Sequence, residues 1–255
     1  MTNFIQAELF KLNRNKTFYV LIFTVIGISA LVHYLRMSGW WHMSGTAFDR
    51  AGLHELNGLS TFTIPLYFNF IVSPLAGFFI ANEFSDSGVI KNQVISGSKR
   101  SAIFISKFLV FSLGSVIVTI VIPLFIALTM MFLFGHGEIL TASNLMYLAR
   151  AFSLFALQFL SFTAIVLWIA MITEDSGKTI IITFVLSFIM FVVEKFIPAS
   201  MIKSLYELTF FYQFTAVFNF ELTTGEIVQS VFISIISLTV ILLCGIFTFK
   251  RKEIH

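Results

Sequence analysis

Long apolar stretches alternate with short polar ones along this chain. Six stretches contain almost no charged residue, and they fall at about 17–35, 61–81, 103–134, 145–172, 179–197 and 226–249. A helix needs about 20 apolar residues to cross the hydrocarbon core of a bilayer. Each stretch is close to or above that length, so the pattern predicts an all-α, polytopic membrane protein with six transmembrane helices.

Composition agrees with this pattern. Of the 255 residues, 58% are hydrophobic and 11% are charged, which excludes an ordinary soluble domain. The polar connections are shorter than the roughly 40 residues that an independent core requires. We therefore expect one membrane domain over residues 1–255 and no soluble catalytic domain. The net charge of +3 is explained by loops near lipid and gives no indication of a nucleic-acid partner.

Positively charged residues favour the loops that stay in the cytoplasm. If the amino terminus is inside, eleven of the 16 Lys and Arg residues are also inside. That inside set is Lys11, Arg14, Lys16, Lys91, Lys99, Arg100, Lys107, Lys178, Lys250, Arg251 and Lys252. The outside set is Arg36, Arg50, Arg150, Lys195 and Lys203. We therefore predict that both termini lie in the cytoplasm, as an even number of spans permits.

Two polar residues lie within predicted spans. Asn69 belongs to the second span and Gln158 to the fourth. Each can hydrogen-bond to a neighbouring helix, and each is also a candidate to line a substrate pathway. Glu194 and Lys195 are near the outer end of the fifth span. We expect these two to reach the interface separately, because sequence neighbours point in different directions on a helix.

Prolines interrupt two of the spans. Pro65 and Pro74 fall in the second span and Pro123 in the third, where each removes a backbone hydrogen bond. These spans are expected to bend. Bent helices suit a moving pathway, and tolerated packing kinks explain the prolines equally well.

One segment imitates a nucleotide-binding motif. Ser176-Gly177-Lys178-Thr179 resembles the end of a phosphate-binding loop, but Ile172 occupies the position of the motif's first glycine. The segment also joins two membrane helices, whereas the motif follows a strand. We expect a short charged turn and no machinery for ATP hydrolysis in this chain.

Histidines cluster around the first outer loop without forming a metal motif. His33, His42 and His54 accompany Asp49 and Glu55 there, and their spacing matches no compact zinc site. Solvated loop residues explain them. We predict no metal site, no bound cofactor and no catalytic residue in this chain.

The richest polar segment joins the second and third spans, at 81–100. Phe84, Ile90, Val94 and Ile95 make it amphipathic between charged ends. Such a helix can lie on the membrane surface or dock into a groove on a cytoplasmic partner.

The amino-terminal segment is a second amphipathic candidate. Phe4, Ile5, Leu9 and Leu12 share one helical face, which Glu8 and Phe10 interrupt. The pattern predicts a helix that lies in the membrane interface.

These features together resemble an ABC-2 type permease, the membrane half of an ABC transporter. The resemblance covers essentially the full chain and rests on the opening segment 7–16, the six spans and the loop residues Glu83, Gly88, Lys91 and Arg100. In that family the loop runs from a Glu through Gly-Thr to a Pro and an Arg. This chain has Val89 in place of the Thr and Gly97 near the usual Pro.

The resemblance implies roles for three segments. An elbow helix would occupy about 3–14, a cytoplasmic coupling helix about 83–95, and an outer re-entrant segment about 198–222. The coupling helix would contact a separate ATPase subunit. The residues implied in that contact are Glu83, Phe84, Asp86, Gly88, Ile90 and Lys91.

The resemblance also implies a function. The chain would be the permease subunit of an ATP-driven exporter in a bacterial cytoplasmic membrane, paired with a second permease as homodimer or heterodimer. The partner ATPase would use ATP and Mg²⁺. Small members of the family export peptide antibiotics, conferring immunity, or amphipathic peptides such as phenol-soluble modulins, which makes a peptide the expected cargo. Alternatives are an exporter of ions, lipids or small drugs, and a sensor or scaffold subunit that transports nothing.

Overall fold

The computed structural model describes residues 2–85, 89–196 and 200–252, and every regular element within these ranges is a helix. Six helices are long and apolar enough to cross a membrane, which confirms the predicted all-α, six-span architecture. Numbered in chain order, the spans are Lys16–Met37, Pro65–Phe84, Arg100–Leu133, Ala142–Thr173, Ser176–Phe196 and Thr224–Arg251.

Shorter helices occupy the connections. An amino-terminal helix, Thr2–Arg14, precedes span one, and a loop helix, Val89–Ile95, lies between spans two and three. The remaining short helices are Ala47–Arg50, His54–Leu59, Ser60–Thr63, Gly137–Ile139, Ser200–Glu207 and Phe210–Ala216. The segments assigned to the elbow, coupling and re-entrant elements therefore contain helices. Their positions relative to a membrane stay predictions.

Both described tails lie at the same end of the bundle. Lys11 of the amino-terminal helix contacts Glu83 at the end of span two. Arg100, at the start of span three, contacts the backbone at the end of span six. We call this the inner end, because the charge pattern predicts that it faces the cytoplasm, and the opposite end the outer end.

Span two begins later than position 61, where the apolar pattern begins. Ser60–Thr63 forms a separate helical turn, and Ile64 then adopts an extended backbone with φ −87° and ψ 126°. A residue that precedes a proline avoids the helical region for steric reasons. Pro65 then starts the span, where its missing N–H has no helical partner to lose.

Spans two and four form the centre of the bundle, whereas spans five and six leave most of their surface available to lipid. Phenylalanine, of which the chain has 33, is the commonest residue of the core. The Phe68 ring of span two lies 5.0 Å from Phe162 and 5.2 Å from Phe159, both in span four. Phe214 of the outer helix Phe210–Ala216 is also 5.2 Å from Phe68. Edge-to-face pairs of this kind add packing energy beyond area burial.

Spans two and three each contain a π-helical turn, at Gly77–Ala81 and Ile117–Val121 respectively. The turn in span three ends two residues before Pro123, whose ring cannot coexist with an undisturbed helical turn before it. In span two the π turn follows Pro74. It places the Gly77 carbonyl where the hydroxyl of Ser176, at the start of span five, donates to it at 2.9 Å.

The prediction that Glu194 and Lys195 act separately was wrong. The Lys195 ammonium lies 2.9 Å from the Glu194 carboxylate. The flexible lysine side chain spans the angular separation in the last turn of the helix. Glu194 also accepts a hydrogen bond from the Tyr206 hydroxyl at 3.4 Å, which joins span five to the outer helix Ser200–Glu207.

Candidate coupling site at the inner end

Four charged side chains from three elements meet at the inner end of the bundle. Glu8 and Lys11 come from the amino-terminal helix, Glu83 from the end of span two, and Lys107 from span three. Lys11 lies 2.6 Å from Glu8 and 2.7 Å from Glu83. Lys107 lies 3.1 Å from each Glu8 oxygen and also pairs with Glu83. We call this group the inner-end ion cluster.

Local packing explains how the amino-terminal helix reaches span three. Gly114 of span three has no side chain, and a Cβ there would lie 3.0 Å from the Leu12 side chain. Leu12 therefore packs into the space that the glycine leaves. Glu8 and Lys11 lie three residues apart on the same face of the helix, so this packing brings both to Lys107 and Glu83.

The cluster is buried yet electrically balanced. The Lys107 side chain has no exposed surface, and Glu8 and Glu83 retain only 2% and 11% exposure. Burial alone would raise the pKa of Glu8, but Lys107 and Lys11 outweigh it and hold this pKa below its usual value. Burial alone would lower the pKa of Lys11, but Glu83 and Glu8 outweigh it and raise this pKa. Both groups are therefore charged at neutral pH.

Arg100 fastens the start of span three to the end of span six. Its guanidinium donates to the backbone carbonyls of Phe249, at 3.1 Å, and Lys250, at 3.0 Å, and also to that of Lys252. The last carbonyls of a helix have no partner within the helix. The guanidinium supplies that partner and a positive charge at the negative end of the helix dipole.

Phe84, the residue after Glu83, packs on the same end of span six. Its ring lies 6.1 Å from the Phe249 ring, and the Lys252 ammonium lies 5.5 Å above it. Lys252 also donates to the Met171 carbonyl at 2.6 Å and pairs with Glu174 at 2.9 Å, at the end of span four. The end of span two is thus held by the amino-terminal helix and by spans three and six, and span six is held by span four.

The chain as a whole was compared with known proteins. The family profile described as ABC-2 family transporter protein matches residues 4–190. The chain belongs to the ABC-2 transporter family. It is therefore the permease subunit of an ABC transporter and a multi-pass protein of the cytoplasmic membrane. No match was found among curated proteins or among solved structures.

The predicted ATPase-contact residues of this ABC-2 permease occupy different environments. Glu83 points into the ion cluster, Phe84 is partly buried against span six, and Ile90 of the loop helix is 1% exposed. Lys91 is exposed and therefore free to reach a partner. Asp86 and Gly88 lie outside the described residues. Contact with an ATPase stays a prediction for the whole set.

The two candidate pathway residues are fully buried. Gln158 donates to the Ser230 hydroxyl at 2.9 Å and to the Ser230 carbonyl at 3.1 Å, which joins span four to span six. Asn69 accepts from Ser73 in its own span, and Ser73 lies 2.6 Å from the Thr183 hydroxyl of span five. Both side chains thus belong to interhelical contacts. A role in the pathway stays a prediction.

Sequence reasoning missed Glu8 and Lys107 as members of a site. Glu8 was treated as an interruption of an apolar face, but it is buried while Leu9, which was assigned to that face, is exposed. Lys107 was counted among loop charges although it falls inside the predicted span 103–134. A charged residue within a span requires a partner. That requirement was the available signal for the cluster.

The outer-loop histidines make local contacts. His54 pairs with Asp49, and Arg36 donates to a ring nitrogen of His42 at 2.9 Å. The backbone N–H of Gly45 and then His54 lower the pKa of Asp49. His33 is instead buried in span one, where its Nδ1 lies 2.7 Å from the Ser29 carbonyl.

Proposed function

We propose that this ABC-2 permease is the membrane subunit of an ATP-driven exporter that moves amphipathic or antimicrobial peptides out of a bacterial cell. The observation that carries the coupling mechanism is the network around Glu83 and Phe84. A force applied to the segment after span two would reach the amino-terminal helix and span three through buried ion pairs. It would reach span six through Phe84.

The energy source in this proposal is a separate ATPase subunit. Two ATPase subunits would dimerise on binding ATP and push the segments around the loop helices of two permease copies. The spans would then move as connected bodies, because packed interfaces switch between discrete arrangements. Two such permeases, identical or homologous, would enclose the path.

The proposed cargo follows from the family resemblance and from the character of the spans. Their surfaces are rich in phenylalanine and branched aliphatic side chains and poor in charge. Such surfaces suit a cargo with an apolar face. Transport of ions, lipids or small drugs, or a sensor role without transport, are the competing assignments.

The partner is tested by co-purification in mild detergent with a candidate ABC ATPase subunit. Lys91→Glu is the informative variant, because Lys91 is an exposed charge on the loop helix. Lys16→Glu, an exposed charge at the start of span one, is the matched control. We expect Lys91→Glu to reduce ATPase recovery and Lys16→Glu to leave it unchanged. Equal recovery for both would refute contact through Lys91.

The cargo is tested with the reconstituted permease–ATPase complex. We expect an amphipathic peptide to stimulate ATP hydrolysis and to move across the vesicle membrane only when ATP is supplied. ATP turnover without peptide movement would support the sensor assignment. Stimulation by an ion or lipid, with none by any amphipathic peptide, would replace peptide as the cargo.

A further inference from the structure

A cavity lies at the outer end of the bundle, opposite the coupling site. Its volume is about 410 Å³, comparable to sites that hold small ligands. The walls come from Arg50 at the end of the helix Ala47–Arg50, from the helices Ser200–Glu207 and Phe210–Ala216, and from the first turns of span six. Its lining is mostly polar, unlike the lipid-facing surface of the spans.

The cavity contains charged groups whose pairing capacity is not used. No hydrogen bond or ion pair reaches the Glu207 carboxylate from the described residues. Glu226 accepts from the Thr223 backbone and hydroxyl through one oxygen, at 2.8 and 2.7 Å, and its other oxygen is left over. Arg50 likewise forms no ion pair within the part of the chain that the structure describes.

A buried carboxamide also faces the cavity. Gln213 lines it while being only 6% exposed. Its amide nitrogen makes one long contact, 3.4 Å, to the Glu207 carbonyl, and no described group donates to its oxygen. This oxygen therefore keeps its capacity to accept a hydrogen bond from a ligand that enters the cavity. Gln229 and Asn219 add two more carboxamides to the lining.

The electrostatic field in this region is negative near Tyr212, which also lines the cavity. Burial and then the carboxylates of Glu207, Glu226 and Glu194 raise the pKa of the Tyr212 hydroxyl. Burial disfavours a charge of either sign, but the three carboxylates that disfavour the phenolate would attract a cation.

We infer that this outer cavity binds a peptide segment that carries an ammonium group. The ammonium would lie between Glu207 and Glu226. Carboxamides both donate and accept, so Gln213 and Gln229 would pair with peptide N–H and C=O groups, and Arg50 would take a peptide carbonyl. The inference deepens the proposed function by placing a contact for the peptide cargo at the outer end.

The test uses the full chain in lipid nanodiscs and a fluorescein-labelled 20-residue Leu/Lys amphipathic peptide, with empty nanodiscs as the lipid baseline. Binding is read as fluorescence anisotropy. The double variant Glu207→Gln/Glu226→Gln removes both carboxylates, and Gln at 226 retains hydrogen-bonding capacity for the helix cap. Glu138→Gln, an exposed glutamate in the connection between spans three and four, is the matched control.

We expect the double variant to bind the peptide about fivefold more weakly, since partly exposed ion pairs contribute modestly, and Glu138→Gln to bind it like the wild type. A peptide in which every Lys is replaced by Gln should bind wild type and double variant equally. A further variant, Gln229→Trp, fills the cavity without changing its charge and should weaken binding of both peptides. Unchanged binding in both cavity variants would overturn the inference.

The readouts separate this inference from the proposed function. Peptide binding that depends on the two glutamates, together with no ATP-dependent peptide transport, would leave the cavity assignment standing and refute peptide export. ATP-dependent peptide transport, together with peptide binding that neither cavity variant changes, would support peptide export and refute the cavity assignment.

Discussion

Replacing Lys107 by Met should destabilise this permease strongly. Lys107 is fully buried and compensates both Glu8 and Glu83, while Met has a similar length and no charge. The substitution leaves two buried carboxylates with only Lys11 as counterion. Breaking a buried ion pair by removing one partner costs about 3 to 5 kcal/mol. We expect a loss in that range, because Lys11, with 28% of its side chain exposed, can screen the remaining charge only in part.

The stability lost in Lys107→Met should depend on pH. In the wild type the pKa of Glu8 lies below 4.5, so its contribution to stability is present above pH 4.5 and is lost as the pH falls towards the folded-state value. Without Lys107, we expect burial to outweigh the remaining effect of Lys11 and to raise the pKa of Glu8. Glu8 can then accept a proton in mildly acidic solution, which removes the unpaired charge. The stability difference between wild type and Lys107→Met should therefore shrink between pH 8 and pH 5.

The assay is reversible unfolding of the purified permease in mixed micelles, with increasing denaturing detergent and helicity as the signal. Adding Glu8→Gln alone to Lys107→Met should restore much of the loss, because the two remaining charges, Lys11 and Glu83, compensate each other. Lys16→Met, at an exposed position, should have little effect. Exposed ion pairs contribute at most about 1 kcal/mol to stability. A smaller loss of stability in Lys107→Met that does not change with pH would therefore refute the buried ion cluster.

Three further substitutions test other contacts between the spans. A Cβ at Gly245 would overlap the ring of buried Phe104, so Gly245→Ala should cost about 1 to 3 kcal/mol in the same unfolding assay. Adding Phe104→Leu should relieve this loss. Gln158→Leu removes the bonds to Ser230 and should cost only about 0.6 kcal/mol, a typical value for interhelical hydrogen bonds in membranes; a loss of several kcal/mol would contradict this. Arg100→Lys keeps the charge, but an ammonium cannot contact three carbonyls in the same way as a guanidinium, so we expect faster proteolysis after the end of span six. An unchanged cleavage rate would argue against stabilisation of that helix end by Arg100.

The candidate site was only partly predictable. The loop residues Glu83 and Arg100 were singled out because of the family resemblance. Both connect helices at the inner end, Glu83 through its ion pair with Lys107 and Arg100 through its hydrogen bonds to span six. The other members of the ion cluster could not be chosen from the sequence, because Glu8 and Lys107 are 99 residues apart and meet only when Leu12 packs on Gly114. The pattern of the amino-terminal helix was misleading for a related reason. A polar residue on its buried face makes sense only when the opposite charge on another helix is known.

The sequence by itself determined that this chain has six membrane spans, because the length of an apolar run is a local property and lipid requires helices that satisfy their own backbone. It also carried the family resemblance, through local motifs at the ends of the spans. Only the tertiary structure decided which helix faces meet, and therefore that four charges neutralise one another at the inner end. The tertiary structure alone also showed that two short outer helices and the start of span six enclose a polar cavity. Ion pairs and cavities depend on distances between residues far apart in the chain, and hydrophobic periodicity does not specify those distances.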